Sequence, residues 1–203
     1  MSKLSKIITF EGIDQSGKET QSKRLMEKLI SEGYKVSHMY FPNYETNIGK
    51  EIRAFLDGKK KMSPELRQIL YAANRYEKME EIIFEMEQCD FLVIDRYVSS
   101  GIAYGLVNGL DYKWALALEE KLPQPDFVIL MDISTEVSRK RKEDDEKDEY
   151  EKRLDFLEKV RDAYLKLAED QSWIIINAAL SKDIVEALVW VKFSEKLNKI
   201  LSH

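Results

Sequence analysis

The chain has 203 residues, an apolar fraction of 44% and a formal net charge of −5. That length suits one domain with a sizeable core, and we expect a single domain over 1–203. No apolar run is long enough to cross a membrane, and the stretch 7–10 is too short for a signal peptide. One cysteine, Cys89, excludes an intrachain disulfide and a cysteine-rich zinc site. From these observations we expect a cytoplasmic protein that does not bind a membrane. No basic face stands out in the sequence, so nucleic acid is not an expected partner.

Strands and helices alternate along the chain. The predicted strands are mostly continuous apolar runs, at 7–10, 35–41, 91–95, 127–132 and 173–177. The predicted helices run from the first loop to 31 and over 48–56, 64–88, 111–122, 135–142 and 150–170, with a last one after Ser181. We predict no helix for the Ser/Gly/Tyr-rich segment 96–105. This alternation predicts a three-layer α/β/α fold around a five-stranded parallel sheet.

Polar residues follow several of the predicted strands. The loop after the first strand, the pair Asp95-Arg96 and Asp132 all stand where a strand ends. Ligands of such sheets bind at the C-terminal ends of the strands. We therefore expect these scattered motifs to converge on one edge of the sheet.

The loop after the first strand reads "GIDQSGKE" over 12–19 and matches the phosphate-loop pattern G-x-x-x-x-G-K-[ST] except at its last position. Gly12 and Gly17 allow a tight turn, so that backbone N–H groups and the start of the next helix point at an anion. Lys18 is expected to reach the β- and γ-phosphates of a nucleoside triphosphate. The predicted strand before the loop and helix after it favour a functional site over a chance match.

Glu19 occupies the position where a hydroxyl usually binds magnesium. Thr20 cannot simply replace that hydroxyl, because adjacent helical residues point about 100° apart. Magnesium accepts carboxylates, so Glu19 contacts the metal directly or through water in one hypothesis. In the other, Glu19 points to solvent and water completes the metal's coordination.

Five stretches together resemble the thymidylate kinase family from residue 7 to about 180. They read "FEGIDQSGK", "FPNYETNIG", "YAANRYE", "DRYVSSGIAYG" and "DEYEKR" and begin at residues 10, 41, 71, 95 and 148. The resemblance implies a P-loop kinase fold and phosphoryl transfer from ATP to dTMP, giving dTDP and ADP in dTTP biosynthesis. It also implies Mg²⁺, a homodimer and a lid at about 139–150.

The resemblance assigns residues to three groups. For ATP it implies Gly12, Ile13, Asp14, Gln15, Ser16, Gly17, Lys18, Glu19, Thr20, Arg139 and Arg141. For dTMP it implies Asp14, Phe41, Tyr71, Arg75, Arg96, Ser100, Gly101, Tyr104 and Tyr150. For the metal, directly or through water, it implies Glu19, Asp95 and Glu151. Those expected to act in catalysis are Lys18, Arg96, Asp95 and Asp14.

Several of these residues have specific implied roles. Tyr71 would stack on thymine, Arg75 would donate to the base carbonyl, and Arg96 would hold the acceptor phosphate. Tyr150 would pack against the deoxyribose. No carboxylate lies at pairing distance from Arg75 on its own helix, so we expect any partner on another element.

Two departures from the family pattern keep other functions open. The family often has a basic residue either in the phosphate loop or in the lid. Here Gln15 occupies the loop position and the lid segment is mostly acidic, so Arg141 or Lys142 would have to supply that charge. Tyr44 stands where the family usually has an arginine on the acceptor phosphate. The alternatives are a P-loop kinase of another nucleotide or deoxynucleoside, and a catalytically impaired nucleotide-binding protein. Intact Lys18 argues against the latter.

Overall fold

One parallel sheet forms the middle layer of the protein. The structure is a computed structural model that describes residues 5–141 and 147–201, with the side chains of 147–153 and 201 outside that description. The strands pair in the order β2-β3-β1-β4-β5. They are β1 (Lys6–Glu11), β2 (Val36–Tyr40), β3 (Phe91–Asp95), β4 (Phe127–Asp132) and β5 (Ile174–Asn177). The predicted five-stranded parallel sheet is confirmed.

Helices cover both faces of the sheet. Ile7 and Ile8 point to opposite faces of β1, and both are fully buried. The described helices are α1 (Lys18–Ser31), α2 (Asn47–Leu56), α3 (Pro64–Glu77), α4 (Met79–Gln88), α5 (Val98–Val107), α6 (Tyr112–Ala117), α7 (Thr135–Arg141), α8 (Lys147–Asp170) and α9 (Lys182–Leu201). Within the described ranges, no helix has the length and apolarity needed to span a membrane.

The strand ends bring the predicted motifs to one edge of the sheet. Phe10 of β1 lies opposite Asp95 of β3, and Glu11 lies opposite Leu130 of β4. The loop 12–17 therefore leaves β1 beside the point where Arg96 leaves β3. The predicted convergence at this edge is confirmed.

The single helix predicted over 64–88 is wrong. The chain forms α3 and α4, and Lys78 between them has φ −104° and ψ 8°. No glycine or proline marks this break in the sequence. The two helices pack differently, because Arg75 of α3 faces α5 whereas Ile82 of α4 lies in the core cluster with Leu92 of β3. Tertiary packing thus overrides a continuous helical pattern.

Two further helix predictions need correction. Residues 98–107, which received no helix, form α5, a helix whose residues are mostly buried. Its glycines lower helix propensity, but they allow close packing against α3. The helix predicted over 111–122 covers only Tyr112–Ala117, where Asp111 caps its start by accepting from Trp114 N at 2.9 Å. Turns follow as far as Lys121.

Candidate active site

The loop between β1 and α1 has a backbone that only particular residues can adopt. Gly12 has φ +142°, and a Cβ there would lie 2.6 Å from the carbonyl oxygen of Met131. Gly17 has φ +88° and precedes α1 without a side-chain cap on the helix. The first N–H groups of α1 therefore face the loop, where the helix dipole favours an anion. The strand, loop and helix expected for phosphate binding are all present.

Lys18 is buried against this loop. Its Nζ donates to the carbonyl oxygen of Ile13 at 2.8 Å and to Oγ of Ser16 at 3.2 Å. Burial, together with the nearby charge of Arg96, lowers the pKa of Lys18 to about 7, although Asp95 opposes the shift. A bound phosphate would stabilise the ammonium form by supplying negative charge.

Asp14 and Arg96 bridge the loop and the end of β3. Arg96 Nη2 donates to Asp14 Oδ1 at 2.7 Å. Arg96 has φ +60° and its backbone N–H donates to Phe10 O at 2.9 Å, which fixes the residue beside β1. Its guanidinium carbon lies 5.8 Å from the centre of the Tyr104 ring. A permanent cation is thus held next to the phosphate loop.

Glu11 belongs to the same site, although the sequence analysis did not single it out. It is fully buried, accepts from Tyr97 N at 2.9 Å and accepts from Ser100 Oγ at 2.5 Å. Burial raises the pKa of Glu11, and the hydrogen bond from Ser100 opposes that shift. Through these bonds Glu11 fixes the start of α5. A carboxylate at the end of an apolar strand was the signal in the sequence.

The predicted metal ligands have different surroundings. Asp95 Oδ1 is buried and has no hydrogen-bond partner among the described residues. Burial raises the pKa of Asp95, against the effect of Lys18. The Glu19 carboxylate is 72% exposed and accepts from Lys23 at 2.6 Å. The side chain of Glu151 lies outside the described residues, and no group of three potential ligands occurs within them.

Arg75 and Glu119 form a buried ion pair behind the acceptor side. Arg75 Nε donates to Glu119 Oε2 at 2.9 Å, and Arg75 Nη2 donates to Glu119 Oε1. Both side chains are at most 3% exposed. A Cβ at Gly101 would lie 2.7 Å from Arg75 Nη2 and from Glu119 Oε1. The partner of Arg75 is thus on another element, as expected, and a larger residue at position 101 would have to displace the ends of the pair.

Aromatic residues expected at the nucleoside lie around this region. Burial raises the pKa of Tyr71 to about 12. Tyr104 packs its ring 6.0 Å from Phe156, and Phe41 packs 5.7 Å from Tyr97. Tyr150 is part of α8, but its side chain lies outside the described residues.

An arginine stacks on the ring of Tyr44, a contact that was not predicted from the sequence. The guanidinium carbon of Arg53, on α2, lies 3.9 Å from the centre of the Tyr44 ring. No described carboxylate pairs with Arg53. Burial raises the pKa of Tyr44. The charges of Arg96 and Asp14 also affect this pKa, which indicates that the ring lies near both residues.

Helix α7 is attached to the phosphate loop. Ser138 Oγ donates to the carbonyl oxygen of Asp14 at 2.9 Å. Arg141 donates to Gln15 O at 3.1 Å and to Ala178 O at 2.7 Å. Arg139 is exposed on the same helix. Lys142 and the following residues to 146 lie outside the described part, so the choice between Arg141 and Lys142 stays a prediction.

Comparisons with known proteins agree with this geometry. The family model described as thymidylate kinase matches residues 10–189. A thymidylate kinase of Plasmodium falciparum is 36% identical over 94% of this chain and 92% of its own length. A thymidylate kinase of Arabidopsis thaliana is 37% identical over 89% of this chain and 67% of its own length. The solved thymidylate kinase of Candida albicans superposes with a TM-score of 0.82 at 28% identity, covering 96% of this chain and 93% of that one. The chain belongs to the thymidylate kinase family.

Proposed function

We propose that this chain transfers the γ-phosphoryl group of ATP to dTMP, giving dTDP and ADP in dTTP synthesis. The observation that carries the proposal is the Asp14–Arg96 contact of 2.7 Å, which joins the phosphate loop to the predicted acceptor side. Family membership supports the substrate pair. The donor binds at the loop and Lys18, and the acceptor binds beyond Arg96.

Phosphoryl transfer requires positioned positive charge more than covalent chemistry. Lys18 and the loop amides stabilise the donor's β- and γ-phosphates, and Arg96 holds the acceptor phosphate between the substrates. That phosphate is already an anion, so no strong general base is needed. Asp14 orients Arg96 and would accept a hydrogen bond from the acceptor's 3′-hydroxyl.

The acceptor phosphate has a second potential cation in this chain. Arg53 stacks on Tyr44, the position where the family usually has an arginine. Because a guanidinium can stack on a ring and still donate hydrogen bonds, Arg53 would bind a phosphate oxygen from above Tyr44. This would offset the missing arginine.

The residues present fit a magnesium ion. A buried carboxylate oxygen without a hydrogen-bond partner, as in Asp95, is a ligand that Mg²⁺ accepts directly or through water. Glu19 and Glu151 are the other predicted ligands. Glu19 would reach the metal only by leaving its ion pair with Lys23. When bound, the ion would neutralise phosphate charge during transfer.

We infer a homodimer, a cytoplasmic location and a lid over 139–150, of which 142–146 lie outside the described residues. The Candida albicans relative is described as having broad substrate specificity, so the acceptor range needs measurement. Tyr44 is the feature that favours another acceptor.

The test is ADP production from ATP and Mg²⁺ with dTMP, dUMP, dCMP, dGMP, dAMP or thymidine as the acceptor. We expect turnover to be fastest with dTMP. Turnover with only another acceptor would reassign the substrate, and ATP binding without turnover would indicate an impaired enzyme. Size-exclusion chromatography with light scattering tests the homodimer.

A further inference from the structure

Tyr164 of α8 is a residue of the site that was not predicted from the sequence. Its side chain is fully buried, and its hydroxyl lies 2.7 Å from Ser100 Oγ and 3.4 Å from Glu11 Oε2. The same hydroxyl lies 3.5 Å from Arg96 Nη1, and that nitrogen lies 3.4 Å from Ser100 Oγ. Two hydroxyl groups therefore stand between the guanidinium of Arg96 and the carboxylate of Glu11.

The chemistry of these groups decides the direction of their hydrogen bonds. Arginine can only donate, and each hydroxyl has a single hydrogen to give. Ser100 Oγ donates to Glu11 Oε2 at 2.5 Å, a separation that suits a hydroxyl and a carboxylate. Because Ser100 has given its hydrogen, Tyr164 must donate in the 2.7 Å contact between them, and the Tyr164 oxygen is left to accept from Arg96. The result is one chain of hydrogen bonds that begins at Arg96 and ends at Glu11.

The two ends of the Arg96 guanidinium have different surroundings. Nη2 donates to Asp14 Oδ1 at 2.7 Å, and the side chain of Asp14 is 43% exposed. Nη1 faces the hydroxyl of Tyr164, which is fully buried. An arriving phosphate can therefore compete with Asp14 for Nη2, whereas the contact of Nη1 with Tyr164 is protected from such exchange. The buried end of the guanidinium is the one that can keep its orientation while the other end changes partner.

We propose that Tyr164 is a positioning residue that orients Arg96 for phosphoryl transfer and connects it to the negative charge of Glu11. The inference rests on the proposed kinase activity, in which Arg96 holds the acceptor phosphate. A direct ion pair with Glu11 would occupy N–H groups that the phosphate needs, whereas a chain through two hydroxyls balances the charge and leaves those groups available. The contacts of Nη1 at 3.4 and 3.5 Å are long, and such contacts often shorten in the reacting complex.

Tyr164→Phe tests the proposal because it removes only the hydroxyl. The ring can keep its edge-on packing against Tyr104, with 6.3 Å between the ring centres. With ATP, Mg²⁺ and the preferred acceptor, we expect kcat to fall about tenfold, because a small displacement of a catalytic charge is costly. The KM values of both substrates should stay within about twofold, since Arg96 keeps its charge and loses only its orientation in the transition state. Tyr34→Phe, whose ring packs against Phe91 just before β2, is the control and should keep the wild-type kcat.

A purely structural role of Tyr164 would give a different result. If Tyr164 only packs α8 against α5, phenylalanine preserves that packing, and an unchanged kcat overturns the proposal. Glu11→Gln removes the charge at the end of the chain and should lower kcat by a similar factor, which also covers the case in which Tyr164→Phe does not fold. Because both substitutions break the same chain, the double variant should lose little more than either single variant. Losses that multiply in the double variant would show two independent effects and overturn the proposal.

NMR of the nitrogen nuclei in the arginine side chains tests Tyr164 without turnover. Because the Arg96 guanidinium is held at both ends, it should show separate Nη1 and Nη2 resonances, which Arg96→Lys identifies by their absence. We expect Tyr164→Phe to speed up rotation about the Nε–Cζ bond and to merge the two resonances. Merged resonances in the wild type, or separate ones in the variant, overturn the role of Tyr164. If the wild type phosphorylates no acceptor, the proposed function fails instead, and these spectra still decide whether Tyr164 orients Arg96.

Discussion

The donor half and the acceptor half of this site are built from different materials. The donor half, the loop 12–17 with Lys18, consists mainly of backbone turned by Gly12 and Gly17 at the end of β1. The acceptor half, α3 facing α5, consists of side chains fitted into space that Gly101 and Gly105 leave open. Backbone sites depend on a few residues close in sequence, whereas side-chain sites depend on residues far apart.

This difference implies different sensitivities. In the donor half, one side chain supplies the charge, and the surrounding amides cannot be removed by ordinary substitution. In the acceptor half, Arg75, Glu119 and Gln68 occupy adjoining space, so the loss of one disturbs the others. We therefore expect donor substitutions to affect turnover and acceptor substitutions to affect folding and dTMP binding.

Lys18→Met should have the largest effect on turnover. Removing a cation from the developing phosphoryl charge is expected to lower kcat by about 10²–10³-fold. Calorimetric binding of dTMP should stay within about twofold, because Lys18 contacts the loop and not α3. Lys28→Met, at a partly exposed position on α1 where the lysine pairs with Glu32, is the control. A large loss of dTMP affinity in Lys18→Met would break the proposed separation of the two halves.

Glu119→Ala should have the largest effect on stability. It leaves the Arg75 guanidinium buried without its carboxylate, which costs about 3–5 kcal/mol of unfolding free energy. Urea denaturation measures this loss, and dTMP binding should weaken in the same variant while ATP binding persists. Glu120→Ala, at the exposed neighbouring position, is the matched control. Glu119→Gln replaces it if the alanine variant does not fold. Normal stability in both would show that the pair is dispensable.

The same difference decides what the sequence could predict. The parallel sheet and its edge could be predicted from short apolar runs. The phosphate loop could be predicted from the consecutive residues 12–19. The partner of Arg75 could only be placed on another element, because Glu119 is 44 residues away. α5 was missed because its glycines and serines resemble a loop, and their packing against Gln68 and Arg75 is visible only in three dimensions. Glu11 did have a signal, a carboxylate at the end of an apolar strand, but its partners Tyr97 and Ser100 lie far away in sequence.

ATP affinity should depend on pH through Lys18. Its pKa in the ligand-free protein is about 7, below the ordinary 10.5, so the side chain is mostly neutral above pH 7. The unfolded chain then binds the extra proton, and stability rises with pH between those values. Because ATP favours the ammonium, binding takes up a proton, and affinity should fall by up to about tenfold per pH unit from 7.5 to 9.

Calorimetry in buffers of different ionisation enthalpy measures this proton uptake. Lys18→Arg supplies the control, since arginine does not titrate in that range. The wild-type slope should be absent in this variant even if its affinity is lower. Equal slopes in the two proteins would mean that Lys18 stays charged in the free loop.

Arg53→Ala should have a smaller effect, confined to the acceptor. The exposed guanidinium over Tyr44 is expected to contribute about three- to fivefold to the KM for dTMP, because exposed cationic contacts are weak. Tyr44→Phe should be nearly neutral, since the ring that holds Arg53 remains. Lys50→Ala, an exposed cation on α2, tests whether any positive charge there has the same effect. A kcat loss without a KM change would contradict the proposed phosphate contact.

Glu19→Gln should have the smallest effect and decides between the two hypotheses for this position. The carboxylate is exposed and paired with Lys23, and such surface pairs contribute about 0–1 kcal/mol. If Asp95 provides the main carboxylate for the metal, the half-saturating Mg²⁺ concentration should change by no more than about twofold. A rise of about tenfold or more, absent in Lys23→Gln, would instead assign Glu19 to the metal. The donor half would then include a side-chain ligand as well as its backbone, since Glu19 would have to leave Lys23 when the nucleotide binds.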